Sequence, residues 1–167
     1  MKAELTELPY GFAGLVYRSP LPLSPYYDPD QRLLGAYQQS GVKMIVMLTL
    51  EEEAFEITGL NLRSLYHDSG FEVLYVPISD FSVPTQGDLD EPVRKVIESA
   101  RRGQTVVIHC HAGLGRTGMF AACMAKTVFG MSGEEALNWV RQYIPHAVET
   151  REQLAFIRRF DPASEQD

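Results

Sequence analysis

Residues 109–118 read HCHAGLGRTG, and this stretch decides which fold and which chemistry the chain can support. The apolar run VVI at residues 106–108 precedes it and predicts a buried strand. Residues 118–129, which are small or apolar at nearly every position, follow it and predict a buried helix. Cys110 is therefore expected at a turn from a strand to a helix, with Arg116 six positions later.

A glycine-rich turn of this kind is suited to binding a phosphate group. Its consecutive backbone N–H groups can point inward together, and the N-terminus of the following helix adds partial positive charge. The guanidinium of Arg116 can bind two phosphate oxygens. The same surroundings stabilise a thiolate, so we expect Cys110 to be ionised near neutral pH and nucleophilic. The predicted phosphate ligands are six consecutive residues of the turn: His111, Ala112, Gly113, Leu114, Gly115 and Arg116.

The motif also carries a family resemblance. Residues 109–117, HCHAGLGRT, resemble the H-C-x5-R-[ST] signature of the cysteine-dependent protein tyrosine phosphatase superfamily, and the ending GLGRTG resembles its dual-specificity branch. The resemblance implies a phosphatase-like fold, a phosphocysteine intermediate, and no metal or other cofactor. A free cysteine that happens to lie in a glycine-rich turn is the alternative interpretation of the same residues.

Composition limits the class of protein and its partners. The 167 residues are 45% hydrophobic and 22% charged, which is typical of a globular domain with a sizeable core. The net charge of −7 disfavours non-specific binding to nucleic acid or to anionic membrane surfaces. The presence of only two cysteines argues against a disulfide framework, so we expect a cytoplasmic protein. No apolar run predicts membrane insertion. The sequence leaves the oligomeric state open, and a monomer is the expectation.

Apolar runs alternate with amphipathic stretches along the chain. Strands are predicted at residues 15–18, 43–48 and 71–77, in addition to the one before the motif, and helices are predicted between them. This alternation predicts an α/β fold, a single domain with a central, mostly parallel sheet flanked by helices. The family resemblance covers about residues 14–160, and it implies one phosphatase catalytic domain over residues 1–167 with its core in that range. The first strand is expected at an edge of the sheet.

Local patterns predict where the last two helices begin. Ser132 is followed three positions later by Glu135, and Thr150 is followed three positions later by Gln153. Both pairs match the capping box, in which a hydroxyl side chain and an acidic or amide side chain bond each other's backbone N–H groups. A helix is therefore expected to start after each hydroxyl residue.

The sequence alone predicts surface roles for two other groups of residues. Three consecutive glutamates, Glu51, Glu52 and Glu53, are expected on a solvated helix face near the positive end of the helix, rather than at a metal site. Tyr26 and Tyr27 lie in a proline-rich loop. They are expected to have surface or packing roles rather than to wall a pocket.

A phosphatase needs a group that protonates the leaving oxygen, and the resemblance points to Asp80. Asp80 follows a predicted strand, lies thirty residues before Cys110, and begins the segment DFSVP, which resembles the general-acid loop of the family. It would act first as the acid and then as the base towards water. Asp88 and Asp90 are alternatives, but they open the next predicted helix, where acidic residues interact favourably with the helix N-terminus.

Three residues beside the nucleophile have roles that the resemblance implies or leaves open. The Thr117 hydroxyl is implied to bond the sulfur and to ease its departure, and a hydroxyl at a helix start is compatible with that role. His109 is implied to order the turn and to help keep Cys110 ionised, although a packed histidine at a strand end explains it nearly as well. His111 is expected to face solvent; a ring facing the cleft would add positive charge below pH ~6.5.

The water that completes the reaction must also be positioned. The segment before the last predicted helix resembles the one in which the tyrosine-specific branch places a water-orienting glutamine. That position holds Glu149 here, a departure that some dual-specificity members share, and Gln153 is a second candidate. Helix capping is an alternative explanation for both residues.

The resemblance implies a metal-independent phosphomonoester hydrolase that acts on phosphoprotein. The chain has too few residues for the long recognition segment of the tyrosine-specific branch, so we expect a shallow pocket open to phosphotyrosine, phosphoserine and phosphothreonine. The turn lacks the lysines typical of phosphoinositide phosphatases, and the acidic balance disfavours an RNA 5′-phosphate. The alternatives are a module that binds phosphorylated partners without turnover, a phosphatase of one of those non-protein substrates, and a sulfur-transfer enzyme.

Overall fold

A five-stranded sheet with helices on both faces forms the body of the computed structural model, which describes residues 5–162. The predicted domain over residues 1–167 therefore extends beyond the described residues at both ends. The strands and helices of the described residues are, in chain order, β1 Thr6–Glu7, β2 Val16–Ser19, α1 Leu33–Gln39, β3 Val42–Met47, α2 Glu51–Thr58, α3 Leu62–Asp68, β4 Glu72–Tyr75, α4 Asp90–Arg101, β5 Thr105–His109, α5 Gly115–Phe129, α6 Gly133–Arg141 and α7 Arg151–Arg159.

The strands are ordered β1-β2-β5-β3-β4 across the sheet. The last four are parallel to one another, and β1 pairs antiparallel with β2. The prediction of a mostly parallel sheet is confirmed. The prediction that β2 lies at an edge is wrong, because β1 pairs with it through Thr6–Arg18 and Glu7–Tyr17. A strand of two residues is too short to show the alternating pattern by which a sequence reveals a strand.

Because β2, β3 and β5 run in the same direction, their three ends lie together. His109, the last residue of the central strand β5, pairs with Ser19 at the end of β2 and with Met47 at the end of β3. Ligands of parallel α/β sheets bind beyond the carboxyl ends of the strands. The HCHAGLGRTG turn therefore leaves the sheet at its centre, with neighbouring strands ending on both sides of it.

Alternation along β5 divides the core into two layers. Val106 and Ile108 face the larger apolar cluster, which contains residues of α4, α5, α6 and α7. Val107 faces the opposite cluster, which contains residues of α1, α2 and α3. Successive side chains of a strand point to opposite faces, so both faces of β5 are covered. The helix after the motif, α5, lies inside the larger layer, and its predicted burial is confirmed.

The start of α5 differs from the prediction. The helix begins at Gly115 rather than at residue 118, because the last residues of the turn are also the first helical turn. Glycine and polar residues at that end conceal the apolar pattern that marks a buried helix. The predicted starts of α6 and α7 are confirmed: the Ser132 hydroxyl accepts from the Glu135 N–H, and the Thr150 hydroxyl accepts from the Gln153 N–H.

Candidate active site

Cys110 lies directly beyond the end of β5, in the turn that leads into α5. The residue is 3% exposed, so its sulfur lies within the turn rather than on the outer surface. The hydroxyl of Thr117, in the first turn of α5, donates a hydrogen bond to the Cys110 sulfur at 3.1 Å. A donor at this distance stabilises negative charge on the sulfur.

The ring of His109 is buried between two hydrogen-bonding partners. Its Nδ1 lies 3.0 Å from the carbonyl oxygen of Cys110, and a carbonyl oxygen can only accept, so Nδ1 carries the proton. Its Nε2 then accepts from the hydroxyl of Tyr66 at 2.9 Å. Burial lowers the pKa of His109 to about 4, against the opposing effect of the bond to Cys110. The ring is therefore neutral near pH 7 and holds the Cys110 carbonyl in place.

Four successive carbonyl groups of the turn accept hydrogen bonds from groups outside it. These groups belong to the ends of the neighbouring strands β5 and β2 and to the chain that follows β2. The bonds are, in chain order, Cys110 O with His109 Nδ1 at 3.0 Å, His111 O with the Leu21 N–H at 2.8 Å, Ala112 O with Arg18 Nη2 at 3.4 Å, and Gly113 O with Arg18 Nε and Nη2 at 3.1 and 3.0 Å.

These bonds determine the direction of the backbone N–H groups. The carbonyl of a trans peptide and the N–H of the next residue point in opposite directions, and the described residues contain no cis peptide. The N–H groups of residues 111–114 therefore point away from those partners, towards the interior of the turn. Gly113 permits this path, because its φ is +76° and a Cβ would lie 2.7 Å from the carbonyl oxygen of Ser19. Inward N–H groups form an anion-binding concavity.

Arg116 is 1% exposed, and its guanidinium is held from two directions. Nη1 donates to Glu53 Oε2 and to the carbonyl oxygen of Ile78, both at 2.8 Å, and Nη2 donates to Glu53 Oε1 at 2.7 Å. The expectation that all three glutamates of α2 are solvated is wrong, since the Glu53 side chain is 17% exposed and pairs with a buried cation. Nε of Arg116 is buried and bonds to no residue among those described, so it can donate to a bound anion.

The charges of this pair stabilise each other. Partial burial favours the neutral form of Glu53, but the hydrogen bonds and positive charge of Arg116 outweigh it and lower the pKa of Glu53. Burial also disfavours the charged form of Arg116, but Glu53, with Cys110 and Asp80, outweighs that effect and raises the pKa of Arg116. The Glu53 carboxylate thus offsets the desolvation of the guanidinium and fixes its orientation.

Asp80 reaches the same guanidinium from the loop after β4. Its Oδ1 lies 3.1 Å from Arg116 Nη2, and its side chain is 44% exposed. The backbone N–H of Phe81 donates to the same oxygen at 3.0 Å. Of the alternatives, Asp90 lies in the first turn of α4, and Asp88 lies in the turn that precedes it. Among these three aspartates, Asp80 is the one with a described contact to Arg116.

Glu149 and Gln153 lie over the start of α5. A Cβ built on Gly115 would meet the Glu149 carboxylate and would lie 3.1 Å from Gln153 Nε2. The Gln153 Oε1 accepts from the N–H groups of Glu149 at 2.8 Å and Thr150 at 3.2 Å, so Gln153 caps α7. Its Nε2 is buried and bonds to no described residue. Gln153 therefore caps α7 and also lies beside the turn, so the two interpretations of this residue are compatible.

His111 packs against the proline-rich loop. Its ring centroid lies 5.1 Å from that of Tyr27 and 6.3 Å from that of Tyr26, both in edge-to-face geometry. The expectation that His111 is solvated is wrong, because the residue is half-buried. Partial burial lowers its pKa, although Glu53 and Asp80 act in the opposite direction. Both tyrosines are exposed, as expected, and they also form an aromatic edge beside the turn.

Three residues of the site were not identified from the sequence: Arg18, Glu53 and Tyr66. Arg18 did carry a signal, since it is a charged residue inside an otherwise apolar predicted strand. The only signal at Glu53 was its negative charge, and its place at a helix N-terminus already explains a glutamate there. Tyr66 carried none, because a tyrosine on the apolar face of a helix is typical of core packing.

Residues 5–162 contain neither a metal-binding cluster nor a membrane-spanning helix. In that part of the chain, no group of three or more histidine, cysteine, aspartate or glutamate side chains could hold a metal ion. None of its helices combines the length and the apolar character that crossing a membrane requires.

The fold and the site together define a class of protein. A cysteine in an anion-binding turn between a central parallel strand and a buried helix, with an arginine six residues later, is the arrangement of the cysteine-dependent phosphatases. The sequence model of the family described as "Tc-R-P: Polymorphic toxin system, DSP-PTPase phosphatase" matches residues 26–128. The chain belongs to this family, and it is an enzyme of the superfamily of tyrosine and dual-specificity phosphatases.

Individual proteins show the same relationship. The chain is 34% identical over 113 residues to protein tyrosine phosphatase domain-containing protein 1 of Danio rerio, a match that covers 67% of this chain and 15% of that protein. The crystal structure of Tk-PTP in its active form is 30% identical, with a TM-score of 0.76 over 93% of this chain and 95% of the other. Kinase-associated phosphatase, crystallised with its catalytic-site cysteine replaced by serine, shares the fold at 20% identity, with a TM-score of 0.85 over 96% and 94%.

The buried, neutral His109 predicts a pH-dependent stability. The unfolded chain binds a proton on this ring below pH 6.5, whereas the folded chain does so only near pH 4. The free energy of unfolding should therefore be unaffected by His109 above pH 6.5 and should fall by about 3 kcal/mol as the pH is lowered to 4. Urea unfolding of the wild type and of His109→Gln at several pH values isolates this contribution as their difference. Identical pH dependence of the two proteins would contradict a buried neutral ring.

Proposed function

We propose that the protein is a metal-independent phosphatase that hydrolyses phosphotyrosine, and also phosphoserine and phosphothreonine, in proteins through a phosphocysteine intermediate. One observation carries the proposal. The Cys110 sulfur, the inward N–H groups of the turn and the Arg116 guanidinium meet around one strand-to-helix turn. A phosphate placed there would have a nucleophile on one side and positive partial charges around its oxygens.

In the first step, the Cys110 thiolate attacks phosphorus in line with the leaving oxygen. The sulfur–phosphorus bond forms as the bond from phosphorus to the leaving oxygen breaks. The N–H groups of residues 111–116 and Nε of Arg116 bind the three remaining oxygens, whose charge is stabilised in the transition state. Thr117 keeps its hydrogen bond to the sulfur and stabilises the thiolate again when it departs in the second step.

Asp80 is proposed as the general acid of the first step. Its position beside Arg116, with nearly half of its side chain exposed, leaves a carboxyl oxygen accessible to the leaving group. It would transfer its proton to the leaving oxygen, so that a neutral alcohol or phenol departs. The resulting carboxylate is then available as a base for the second step.

The second step hydrolyses the phosphocysteine. Water attacks phosphorus, its proton passes to the Asp80 carboxylate, and the sulfur–phosphorus bond breaks to give inorganic phosphate and the thiolate. Glu149 and Gln153 are proposed to orient this water, because both lie over Gly115 and the Gln153 Nε2 bonds to no residue among those described. A carboxylate and an amide donor together can accept from and donate to one water molecule.

The surroundings of the turn favour a broad range of phosphoproteins. Exposed aromatic rings, Tyr26, Tyr27 and Phe81, lie near the mouth rather than forming a deep slot. A shallow mouth can admit the short phosphoserine and phosphothreonine side chains as well as phosphotyrosine. Glu51 and Glu52 are exposed on α2, the helix that carries the Arg116 partner Glu53, and they would repel strongly acidic substrates.

Replacing the nucleophile tests the reaction. Cys110→Ser should lower the hydrolysis of p-nitrophenyl phosphate by about 10³-fold or more, because the nucleophile is removed. The assay is run with a metal chelator, under which the wild type should remain active. Cys123→Ser is the matched control, since Cys123 is a buried thiol inside α5, and it should retain activity.

The same preparations decide between the candidate functions. Turnover by the wild type is compared for peptides carrying phosphotyrosine, phosphoserine or phosphothreonine, a phosphoinositide, 5′-phosphorylated RNA and thiosulfate. Hydrolysis of the peptides supports the proposal. Tight peptide binding without turnover would identify a binding module, and preference for one of the other substrates would replace the proposal with that activity.

The leaving-group dependence tests the proposed acid. Asp80→Asn should lower kcat by about 10²-fold for phenyl phosphate, whose leaving group needs a proton, and far less for 2,4-dinitrophenyl phosphate. Asp88→Asn, the matched control from the same segment, should leave both rates near the wild-type values. Equal losses for the two substrates in Asp80→Asn would assign the proton transfer to a different group.

A further inference from the structure

Arg18 is a buried arginine on the outer side of the phosphate-binding turn. It lies on β2 and is 5% exposed. Its Nε and Nη2 donate to the carbonyl oxygen of Gly113 at 3.1 and 3.0 Å, and Nη2 also lies 3.4 Å from the carbonyl oxygen of Ala112. Its Nη1 donates to the Thr6 hydroxyl at 3.4 Å. Burying a guanidinium is costly, so its hydrogen bonds must be well satisfied.

We propose that Arg18 is a positioning residue of the phosphatase reaction, which holds two peptide groups of the turn so that the N–H groups of Gly113 and Leu114 point at the phosphate. The inference rests on the proposed function, since it concerns how the same turn binds its substrate. The bonds of Arg18 to the turn are made to the outer carbonyls of Ala112 and Gly113. Its effect on the phosphate passes through the two trans peptides, whose N–H groups point opposite to those carbonyls.

Gly113 is the reason why the turn needs a group that holds its peptides in one orientation. Glycine adopts positive and negative φ with similar ease, so the peptide between Gly113 and Leu114 has little intrinsic preference for one orientation. A flipped peptide would present a carbonyl oxygen to the phosphate and would repel it. The guanidinium prevents this, because two of its N–H groups bond the Gly113 oxygen from the opposite side.

The strand β2 also packs closely enough against the turn to fix the orientation of the Gly113 backbone. A Cβ built on Gly113 would lie 2.8 Å from Arg18 Nη2 and 2.7 Å from the carbonyl oxygen of Ser19. The turn therefore rests directly on β2. Arg18 and Arg116 thus have different tasks: Arg116 faces the phosphate from the inner side, and Arg18 supports the backbone from the outer side.

The chain offers a matched control for the loss of a buried cation. Lys126, in α5, is also buried, and its Nζ donates to the carbonyl oxygens of Ile157, Arg158 and Phe160 at 2.8, 3.3 and 2.6 Å. These carbonyls belong to the end of α7 and the residue that follows it, outside the turn. Lys126→Met therefore removes a comparable set of cation–carbonyl bonds without touching the phosphate-binding turn.

The experiment measures tungstate, a non-covalent oxyanion, as a competitive inhibitor of p-nitrophenyl phosphate hydrolysis. Arg18→Met should weaken tungstate inhibition by about 10- to 100-fold and raise KM, because hydrogen bonds to a charged ligand lose their alignment. Arg18→Lys should show a smaller loss, since one ammonium cannot bond both carbonyls in the fork geometry. Lys126→Met should lower the melting temperature and leave tungstate inhibition within about twofold of wild type.

The outcomes separate this inference from the proposed function. If Arg18→Met is folded and inhibited by tungstate like the wild type, Arg18 is only structural and the inference is wrong. If Arg18→Met does not fold, Arg18→Lys is measured instead, at a temperature where both it and Lys126→Met are folded. Weaker tungstate inhibition of Arg18→Lys then supports the inference, and inhibition like that of the wild type contradicts it. If the wild type itself neither binds tungstate nor hydrolyses the substrate, it is the proposed function that fails.

Discussion

The outward hydrogen bonds of four peptide carbonyls, from Cys110 to Gly113, are the constraint on which the site depends. Each carbonyl is held by a group outside the turn, and each therefore turns the following N–H inward. Without these partners, a glycine-containing turn has several backbone conformations of similar energy. The inward orientation of these N–H groups thus depends on the contacts between the turn and its neighbouring strands, and the residues of the turn alone do not determine it.

The sheet order explains how one turn receives so many partners. β5 lies between β2 and β3, so the turn leaves the sheet with a strand end on each side. β2 provides Arg18, and the chain after it provides the Leu21 N–H. The helix after β3 provides Glu53, which fixes the Arg116 guanidinium together with the Ile78 carbonyl. A parallel sheet brings groups that are distant in sequence to one edge, where they can act on a single ligand.

Local patterns in the sequence predicted the strands and helices, and the HCHAGLGRTG motif predicted which residues form the turn. The fold class, the buried helix α5 and the capped starts of α6 and α7 follow from periodicity and from short-range hydrogen bonding, which a sequence displays directly. His109, which is adjacent to Cys110, was predicted to order the turn, but the more distant partners were not predicted. Their contacts join residues far apart in the sequence: Glu53 and Arg116 are 63 positions apart, and Tyr66 and His109 are 43 apart. Nothing in a glutamate or a tyrosine indicates which distant group it will meet. The pairing of β1 with β2 was missed for a different reason, because a strand of two residues is too short to show an alternating pattern.

The most direct measurement is a titration of ¹⁵N-labelled protein with tungstate, followed through the backbone amide resonances. We expect the largest shifts at the N–H groups of residues 111–116, and we expect Arg116→Lys to reduce them at the same tungstate concentration. Those six groups would then be the donors that surround the anion. Saturable binding with the largest shifts elsewhere in the chain, or no shift at residues 111–116, would contradict the inward orientation of these amides and the phosphatase site built on it.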